Sequence, residues 1–249
     1  LASVMVLSLA ACSNQPAEEN SSSQSSSEQT ASLETTYPVT ITDALGREVT
    51  IEEEPERLVS GYYITTSYLA ALDLDEKLVG IEAKADTREL YKLAAPELPS
   101  LPNVGSLKQF NLETCVSTEP DLVILSAKVP DAVAKLEELG IPVIAVNPES
   151  EKKFKETISM IGTACNVQER ANELTESYDK AIADLAAKLE GVEPARVYLG
   201  GNSAFLSTAG PAMFQDLLIR NAGAENVASE ITDTYWATVS YEQLLAWNP

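Results

Sequence analysis

The stretch EPDLVILSAKVPDAVAKLEELGIPVIAV, residues 119–146, decides the fold class of this chain. Residues 121–125 form an apolar run of the length expected for a buried strand, and residues 130–139 have helical spacing closed by Gly140. Residues 142–146 form a second apolar run. A strand, a helix and a strand in this order predict parallel pairing through a right-handed crossover.

The chain before residue 119 continues this alternation of strands and helices. VTITDALGREVTI, residues 39–51, has alternating apolar positions on either side of a turn, which predicts a β-hairpin. Further strands are expected at residues 57–60 and 78–81, with helices at 64–73, 87–95 and 111–118. The pattern predicts an amino-terminal α/β lobe over residues 37–149.

Residues 150–190 break this rhythm with a long helical region. Apolar residues recur there at three- and four-residue spacings, which predicts one stripe formed by Val167, Ala171, Leu174, Tyr178, Ile182, Leu185 and Leu189. A strand at 196–200 and helices at 211–222 and 240–247 follow. The predicted fold class is therefore α/β, with two parallel-sheet lobes joined by one long backbone helix. The connecting helix is placed at 150–191 and the second lobe at 192–249.

A short internal repeat supports two equivalent lobes. NLE at residues 111–113 and SYE at residues 240–242 each end in a glutamate that stands seven residues before a proline, Pro120 or Pro249. In each copy an N-cap residue comes before a glutamate at the second helical position. The first copy leads into a strand, whereas the sequence ends at the equivalent point of the second. The carboxyl-terminal lobe is therefore expected to be truncated.

The composition excludes several classes of function. Acidic residues outnumber basic ones 38 to 17, giving a net charge of -21, which argues against nucleic-acid binding because phosphates need clustered Lys and Arg. The chain has no histidine, so a Ser-His-Asp triad and an imidazole zinc site are both ruled out. Sites built from carboxylates remain open.

The amino-terminal segment has the pattern of a processing signal. Residues 1–11 are small and apolar, and they are too short to span a bilayer, which takes about 20 residues. LAAC at residues 9–12 resembles a bacterial lipobox, which predicts a partial signal peptide at 1–11 and a lipidated Cys12. Residues 12–36 are then a Ser-rich tether, and the protein is anchored outside the cell membrane. The alternative is an apolar end with an incidental cysteine.

Two further cysteines, Cys115 and Cys165, lie among apolar neighbours in predicted helices. Cysteine is among the residue types most often buried, which favours two buried free thiols. A disulfide between them is the alternative in an oxidising compartment. Neither cysteine has a neighbouring base that would make it a nucleophile.

Seven stretches in a fixed order give the sequence a family resemblance: TITDALGREVTI, PERLVS, VGSLKQFNLE, EPDLVIL, ELGIPVIAV, NAGAENVA and WATVSYEQLLAWNP. Together they resemble the cobalamin, siderophore and haem branch of the periplasmic-type binding proteins of bacterial ABC importers. The resemblance runs from Val39 to Pro249. It implies a monomeric extracytoplasmic lipoprotein that binds a metal chelate, with a ferric siderophore or a corrinoid favoured over haem. It implies no catalysis, no bound cofactor and no protein metal site.

The resemblance also assigns one permease-docking glutamate to each lobe. The family pattern places them at Glu113 in NLE and at Glu242 in the VS-x-E motif. A carboxylate in the first helical turn suits the helix dipole, and an arginine of the permease can meet it bidentately. The alternative is that both glutamates only stabilise helix starts, by typically about 0.3–1 kcal/mol each.

Ligand-binding residues are expected in a cleft between the lobes, at the carboxyl ends of the strands. Aromatic rings there can stack on a corrin, porphyrin or catecholate, and lysines or amides can bind anionic groups. The ligand-binding residues selected on this rule are Tyr62, Tyr63, Lys108, Phe110, Lys128, Asn202, Ser203, Phe205, Tyr235 and Trp236. Local packing is the alternative for each of them.

Three other functions compete with a chelate receptor. A receptor for free Mn, Zn or Fe ions generally uses His with carboxylates, and this chain has no His. A chelatase-like enzyme of related fold commonly uses a cleft His or Glu, and a lipoprotein signal does not suit it. A surface adhesin would not need paired docking glutamates.

Overall fold

The computed structural model describes residues 33–201 and 204–249. Its α-helices over those residues are α1 Tyr63–Ala71, α2 Glu89–Ala94, α3 Leu112–Ser117, α4 Pro130–Glu138, α5 Glu151–Ala164, α6 Gln168–Lys188, α7 Phe214–Asn221 and α8 Tyr241–Trp247. The strands are β1 Val39–Thr42, β2 Glu48–Ile51, β3 Leu58–Ser60, β4 Leu78–Ile81, β5 Gly105–Ser106, β6 Gln109–Phe110, β7 Leu122–Ser126, β8 Val143–Val146, β9 Arg196–Val197, β10 Ser207–Ala209, β11 Glu225–Asn226 and β12 Trp236–Thr238. None of the helices in these two ranges has the length and apolar character needed to cross a membrane.

The centre of the amino-terminal lobe is a four-stranded parallel sheet of order β4-β3-β7-β8. Alternate residues of β7 point into separate apolar clusters on the two faces, with Leu122 and Ile124 on one side and Val123 and Leu125 on the other. A parallel sheet covered on both faces is what continuous apolar strands require. The βαβ unit predicted from residues 119–146 is confirmed.

The strand order creates a switch point in the middle of this sheet. After β3 the chain crosses to β4 on one side, and it later returns to β7 on the other side of β3. Gly61 follows β3 at this point, and its N–H donates to the carbonyl of Ile124 (3.1 Å). A Cβ on Gly61 would lie 3.2 Å from Cε2 of Phe110 and closer still to Cδ2 of Leu125, so the approach requires glycine. Ligands of open α/β sheets bind at such switch points.

The predicted hairpin is confirmed as the antiparallel pair β1–β2. The buried carboxylate of Asp43 accepts hydrogen bonds from the N–H groups of Leu45 (2.9 Å) and Arg47 (3.1 Å), which fixes the turn. It also accepts from the N–H of Ala145 (3.0 Å) and pairs with the Arg47 guanidinium. The hairpin is thereby attached to the β8 edge of the sheet.

The helical region predicted as one element over 150–191 is two helices, α5 and α6. The chain between them turns at Asn166, whose φ of 59° is left-handed. Ile158 and Ile161 of α5 are fully buried in the amino-terminal core, so α5 belongs to that lobe and α6 is the long connecting helix. Of the predicted stripe, Ala171 is buried whereas Leu185 is 36% exposed.

The carboxyl-terminal lobe contains two strand pairs over the residues that the structure describes. β9 and β11 are parallel, as predicted, but β10 and β12 are antiparallel. The strand predicted at 196–200 shortens to β9, and β10, β11 and β12 were not predicted. Its buried apolar cluster consists of Val227, Ala228 and Trp247.

Candidate functional site

The carboxyl ends of the four parallel strands form one edge of the amino-terminal lobe. In sheet order, Glu82 follows β4, Tyr62 and Tyr63 follow β3, Lys128 follows β7 and Glu149 follows β8. Neighbouring strands lie about 4.8 Å apart, so this edge brings together side chains that are far apart in sequence. We call it the strand-end edge.

A cavity of about 400 Å³ opens between this edge and the carboxyl-terminal lobe. Its lining from the amino-terminal lobe includes Lys128 and Glu149, and its lining from the other lobe includes Tyr235 and Trp236. Three predicted ligand-binding residues, Lys128, Tyr235 and Trp236, therefore meet in one cavity. The remaining lining residues are Ala127, Asn147 and Met213.

A second cavity, of about 390 Å³, adjoins the first because both are lined by Lys128. It brings in two more of the predicted residues, Lys108 and Phe110. Lys108 is exposed in the turn between β5 and β6, a two-stranded hairpin that the sequence did not predict. The two cavities together form a groove that carries lysines beside aromatic rings.

Lys128 forms an ion pair with Glu149 inside this groove. Its side chain is 58% exposed, whereas that of Glu149 is 22% exposed. An ion pair with so exposed a partner contributes at most about 1 kcal/mol to stability, so a ligand can separate the two charges at little cost. The groove can therefore offer either a cation or a carboxylate to a bound molecule.

Tyr62 and Tyr63 have different surroundings although they are consecutive. Tyr62 is only 6% exposed, and its pKa is raised mainly by burial and then by the neighbouring Tyr63 and Glu149. Tyr63 is 44% exposed, with its ring centroid 5.1 Å from that of Tyr62. Tyr62 therefore packs in the core next to the strand-end edge, whereas the ring of Tyr63 is accessible at the surface.

Three of the predicted residues that the structure describes line neither cavity of the groove: Tyr62, Tyr63 and Phe205. Phe205 instead contacts the ring of Tyr198 (5.8 Å between centroids) and stacks on Tyr241 at the start of α8 (6.3 Å). Asn202 and Ser203 lie outside the described residues, as does Cys12.

Asn147, Glu149 and Met213 line the groove but were not selected from the sequence. Asn147 and Glu149 follow β8 just as Lys128 follows β7, so the same strand-end rule applied to PVIAV would have found them. The strand-end rule could not have found Met213, because Met213 lies just before α7 and does not follow a predicted strand.

The two predicted docking helices begin with the same geometry. The Asn111 side chain accepts from the N–H of Thr114 (3.0 Å) at the start of α3, and the Ser240 hydroxyl accepts from the N–H of Gln243 (3.1 Å) at the start of α8. Each bond joins the N-cap residue to the third helical residue. The predicted equivalence of the two helix starts is confirmed.

Glu113 and Glu242 occupy the second helical position of these helices, and both are exposed. The pKa of Glu242 is lowered by its own backbone N–H and by the Ser240 hydroxyl. The carboxylate is thus held in its charged form at a helix start, where the dipole favours it. An exposed anion at a helix start suits contact with an arginine.

Cys115 and Cys165 are both buried and free, so the disulfide alternative is not formed. Burial raises the pKa of the Cys115 thiol to about 11 and that of Cys165 to about 12. Thiols with such a pKa are poor nucleophiles at neutral pH.

Two α/β lobes joined by a long helix, with a groove lined from both lobes, define a periplasmic-type substrate-binding protein. The chain belongs to the periplasmic binding protein family, whose sequence model matches residues 58–249. Proteins of this class bind a small molecule outside the cytoplasm and deliver it to an ABC permease, and this chain is a substrate-binding protein of that type.

Relatives with curated names agree on the class and differ in ligand. An uncharacterized ABC transporter substrate-binding lipoprotein of Bacillus subtilis, YvrC, is 29% identical over all of this chain and 76% of its own length. The molybdate-binding protein MolA of Haemophilus influenzae is 28% identical over 84% of this chain. The petrobactin-binding protein YclQ of B. subtilis is 23% identical over all of this chain and 76% of its own length. All three are named as binding proteins.

The solved structure of MolA with molybdate bound superposes with a TM-score of 0.73 at 25% identity, covering 85% of this chain and 72% of that one. In sequence, this chain spans 66% of the length of the molybdate-binding protein. The shared fold includes both lobes on either side of the groove.

Proposed function

We propose that this protein captures a metal chelate in the groove between its lobes and delivers it to an ABC permease. The observation that carries the proposal is the cavity where Lys128 of one lobe meets Tyr235 and Trp236 of the other. Aromatic faces stack on flat or catecholate ligands, and a lysine ammonium binds anionic groups. A ligand held by both lobes would also hold them together.

Ferric siderophores and corrinoids remain the favoured ligands, and haem is less favoured because the chain has no histidine to ligate its iron. A small oxyanion is the second candidate. It is favoured by the similarity to the molybdate-binding protein and by the lysines of the groove. A receptor for free metal ions is not favoured, since no group of His, Cys, Asp and Glu able to hold a metal ion occurs within residues 33–201 and 204–249.

A thermal-shift screen against ferric siderophores, haem, cobamides and molybdate tests this proposal. A ligand present at 100 times its Kd stabilises the folded protein by about 2.7 kcal/mol, which is readily detected. The absence of any shift across all four classes would refute capture of a chelate or an oxyanion.

Two tyrosines of the carboxyl-terminal lobe offer a matched pair for locating the ligand. Tyr235 and Tyr241 are each 61% exposed, but Tyr235 lines the groove and Tyr241 begins α8. Tyr235→Ala should weaken binding of the ligand found in the screen by about tenfold, since an aromatic contact beyond its buried area is worth about 0.5–1.5 kcal/mol. Tyr241→Ala should leave the Kd unchanged. Equal effects of both substitutions would place the ligand outside this cavity.

Delivery is assigned to Glu113 and Glu242, which are exposed at equivalent helix starts, one on each lobe. Each would pair with an arginine of the permease. Attachment to the membrane is assigned to a diacylated Cys12, because one acyl chain binds a membrane only marginally and two anchor it stably. A Cys12→Ala protein should be released from membranes on fractionation, and one that stays with them would contradict the anchor.

A further inference from the structure

The strand-end edge also carries a buried carboxylate, Glu82. Glu82 follows β4 directly and is only 4% exposed. Its Oε2 accepts from the Thr66 hydroxyl (2.6 Å), and its Oε1 accepts from the Tyr91 hydroxyl (2.8 Å) and from Nε of Arg88 (3.1 Å). The carboxylate is thus fixed by three donors, Thr66 from α1 and Arg88 and Tyr91 from the start of α2.

Arg88 is the partner of Glu82 that reaches the surface. Its side chain is 33% exposed, and its guanidinium carbon lies 4.3 Å from the ring centroid of Tyr63 and 5.9 Å from that of Tyr91. Within residues 33–201 and 204–249, the only hydrogen bond from its guanidinium to protein uses Nε. The two terminal nitrogens, with four N–H donors, remain available to a ligand.

Arg88 lies beside the strand-end edge, which forms one side of the groove. β4 neighbours β3 in the sheet, so Glu82 and Arg88 stand beside Tyr63, and Tyr63 and Tyr62 stand beside the Lys128 and Glu149 positions. The edge therefore carries a guanidinium at one end and the groove lysines further along. Lys128, like Arg88, has a carboxylate partner on this edge, Glu149.

Structural stability alone gives a weak reason for this arrangement. A buried ion pair is often no more stable than apolar residues of similar volume, because removing charges from water is costly. The carboxylate of Glu82 does, however, determine which way the guanidinium points. A planar donor held in one orientation loses less entropy when it binds a carboxylate, catecholate or oxyanion.

We propose that Arg88 binds a negatively charged group of the ligand, and that Glu82 is a positioning residue that orients it. The ligand is then an anionic metal complex or an oxyanion, and not a neutral corrinoid. This inference rests on the proposed function, since it assigns a ligand class to the same site.

The test compares three probes against four variants of the full chain. The probes are the ferric complex of a triscatecholate siderophore, molybdate, and dicyanocobinamide as a neutral corrinoid. The variants are Arg88→Gln, Arg88→Lys, Glu82→Gln and, as a matched control, Lys92→Gln. Lys92 is a neighbouring cation on α2 whose ammonium pairs with the exposed Glu89.

Wild-type protein should bind at least one of the two anionic probes and bind dicyanocobinamide weakly or not at all. Arg88→Gln should weaken the anionic probe about tenfold to a hundredfold, as expected for losing hydrogen bonds to a charged group. Arg88→Lys should recover part of the affinity, and Lys92→Gln should leave it unchanged. Whether the wild-type protein binds the ferric complex or molybdate shows which kind of anion the site takes.

Glu82→Gln should also weaken the anionic probe, although it contacts no ligand. A merely structural Glu82 would lower the unfolding temperature of the free protein and leave the Kd unchanged, which would overturn the positioning role. An unchanged Kd in Arg88→Gln would overturn the inference, as would equal weakening of the neutral corrinoid. Binding of dicyanocobinamide alone would overturn the inference while the proposed function stood, and binding of no probe or chelate would overturn both.

Discussion

The amino-terminal lobe surrounds a four-stranded parallel sheet, whereas the carboxyl-terminal lobe has one parallel and one antiparallel strand pair among the described residues. A helix start with the same capping geometry nevertheless occurs in both lobes. Helix α3 is backed by Cys115, which is fully buried, and α8 is backed by Trp247, which is 9% exposed. Local sequence is therefore sufficient to specify a capped helix with an exposed glutamate, whatever the size of the sheet on which the helix packs.

The two lobes also contribute differently to the groove. The amino-terminal side is formed by residues fixed at strand ends, such as Lys128 after β7. The carboxyl-terminal side presents Tyr235, which is 61% exposed, next to the short strand β12. In the first cavity one lobe therefore contributes the charged side chains of Lys128 and Glu149, and the other contributes the aromatic rings of Tyr235 and Trp236.

The largest expected effect is on core packing in the amino-terminal lobe. Ile124 lies in the central strand β7 with no exposed surface, and Ile124→Ala should lower the free energy of unfolding by about 2–5 kcal/mol. Leu245→Ala on α8, where the leucine is 78% exposed, should change it by less than about 0.5 kcal/mol. Urea denaturation of both variants measures the difference. Similar losses would show that the two lobes are equally packed around these positions.

An intermediate effect is expected at the helix caps. Asn111→Ala and Ser240→Ala each remove one side-chain bond to a third-residue N–H, and each should cost about 1 kcal/mol. Hydrogen exchange at the amides of Thr114 and Gln243 reports each cap separately. A loss of protection at only one of the two amides would contradict the equivalence of the helix starts.

The smallest effect at neutral pH is expected for Tyr68→Phe, within about 0.5 kcal/mol. Burial, followed by Glu149 and Tyr63, raises the pKa of Tyr68 from 10.0 to about 12. A raised pKa means that the unfolded chain releases this proton first, so the stabilisation is complete below pH 10 and is lost as the pH rises toward 12. Denaturation across this range should show a shallower alkaline loss for Tyr68→Phe than for wild type. Parallel curves would indicate that Tyr68 titrates normally.

Much of this architecture was predictable because it depends on local signals. Apolar runs such as DLVIL, and N-caps such as Asn111 and Ser240, specify their elements within a few residues of sequence. The break at Asn166 was not predicted, because apolar spacing continues through it and only the left-handed turn divides the helices. The short strands β10 and β12 lacked a run long enough to show alternation.

The groove was predictable in part. The strand-end rule found Lys128, and family resemblance found Trp236, but neither could exclude Phe205, whose stacking on Tyr241 depends on tertiary structure. Arg88 escaped the rule because it follows a short 3-10 helix, Ala85–Thr87, and reaches the edge through its side-chain contacts with Glu82 and Tyr63.

The groove is assigned to capture of the ligand and the two helix starts to its delivery, and one double charge reversal tests both roles. Glu113→Arg with Glu242→Arg should leave the Kd for the ligand close to that of wild type and abolish uptake, because like charges across an interface cost several kcal/mol. The control is Glu169→Arg with Glu176→Arg, which reverses two other exposed glutamates, both on α6, and should preserve both binding and uptake. Loss of ligand binding by the folded Glu113→Arg, Glu242→Arg protein, or normal uptake by it, would contradict the account.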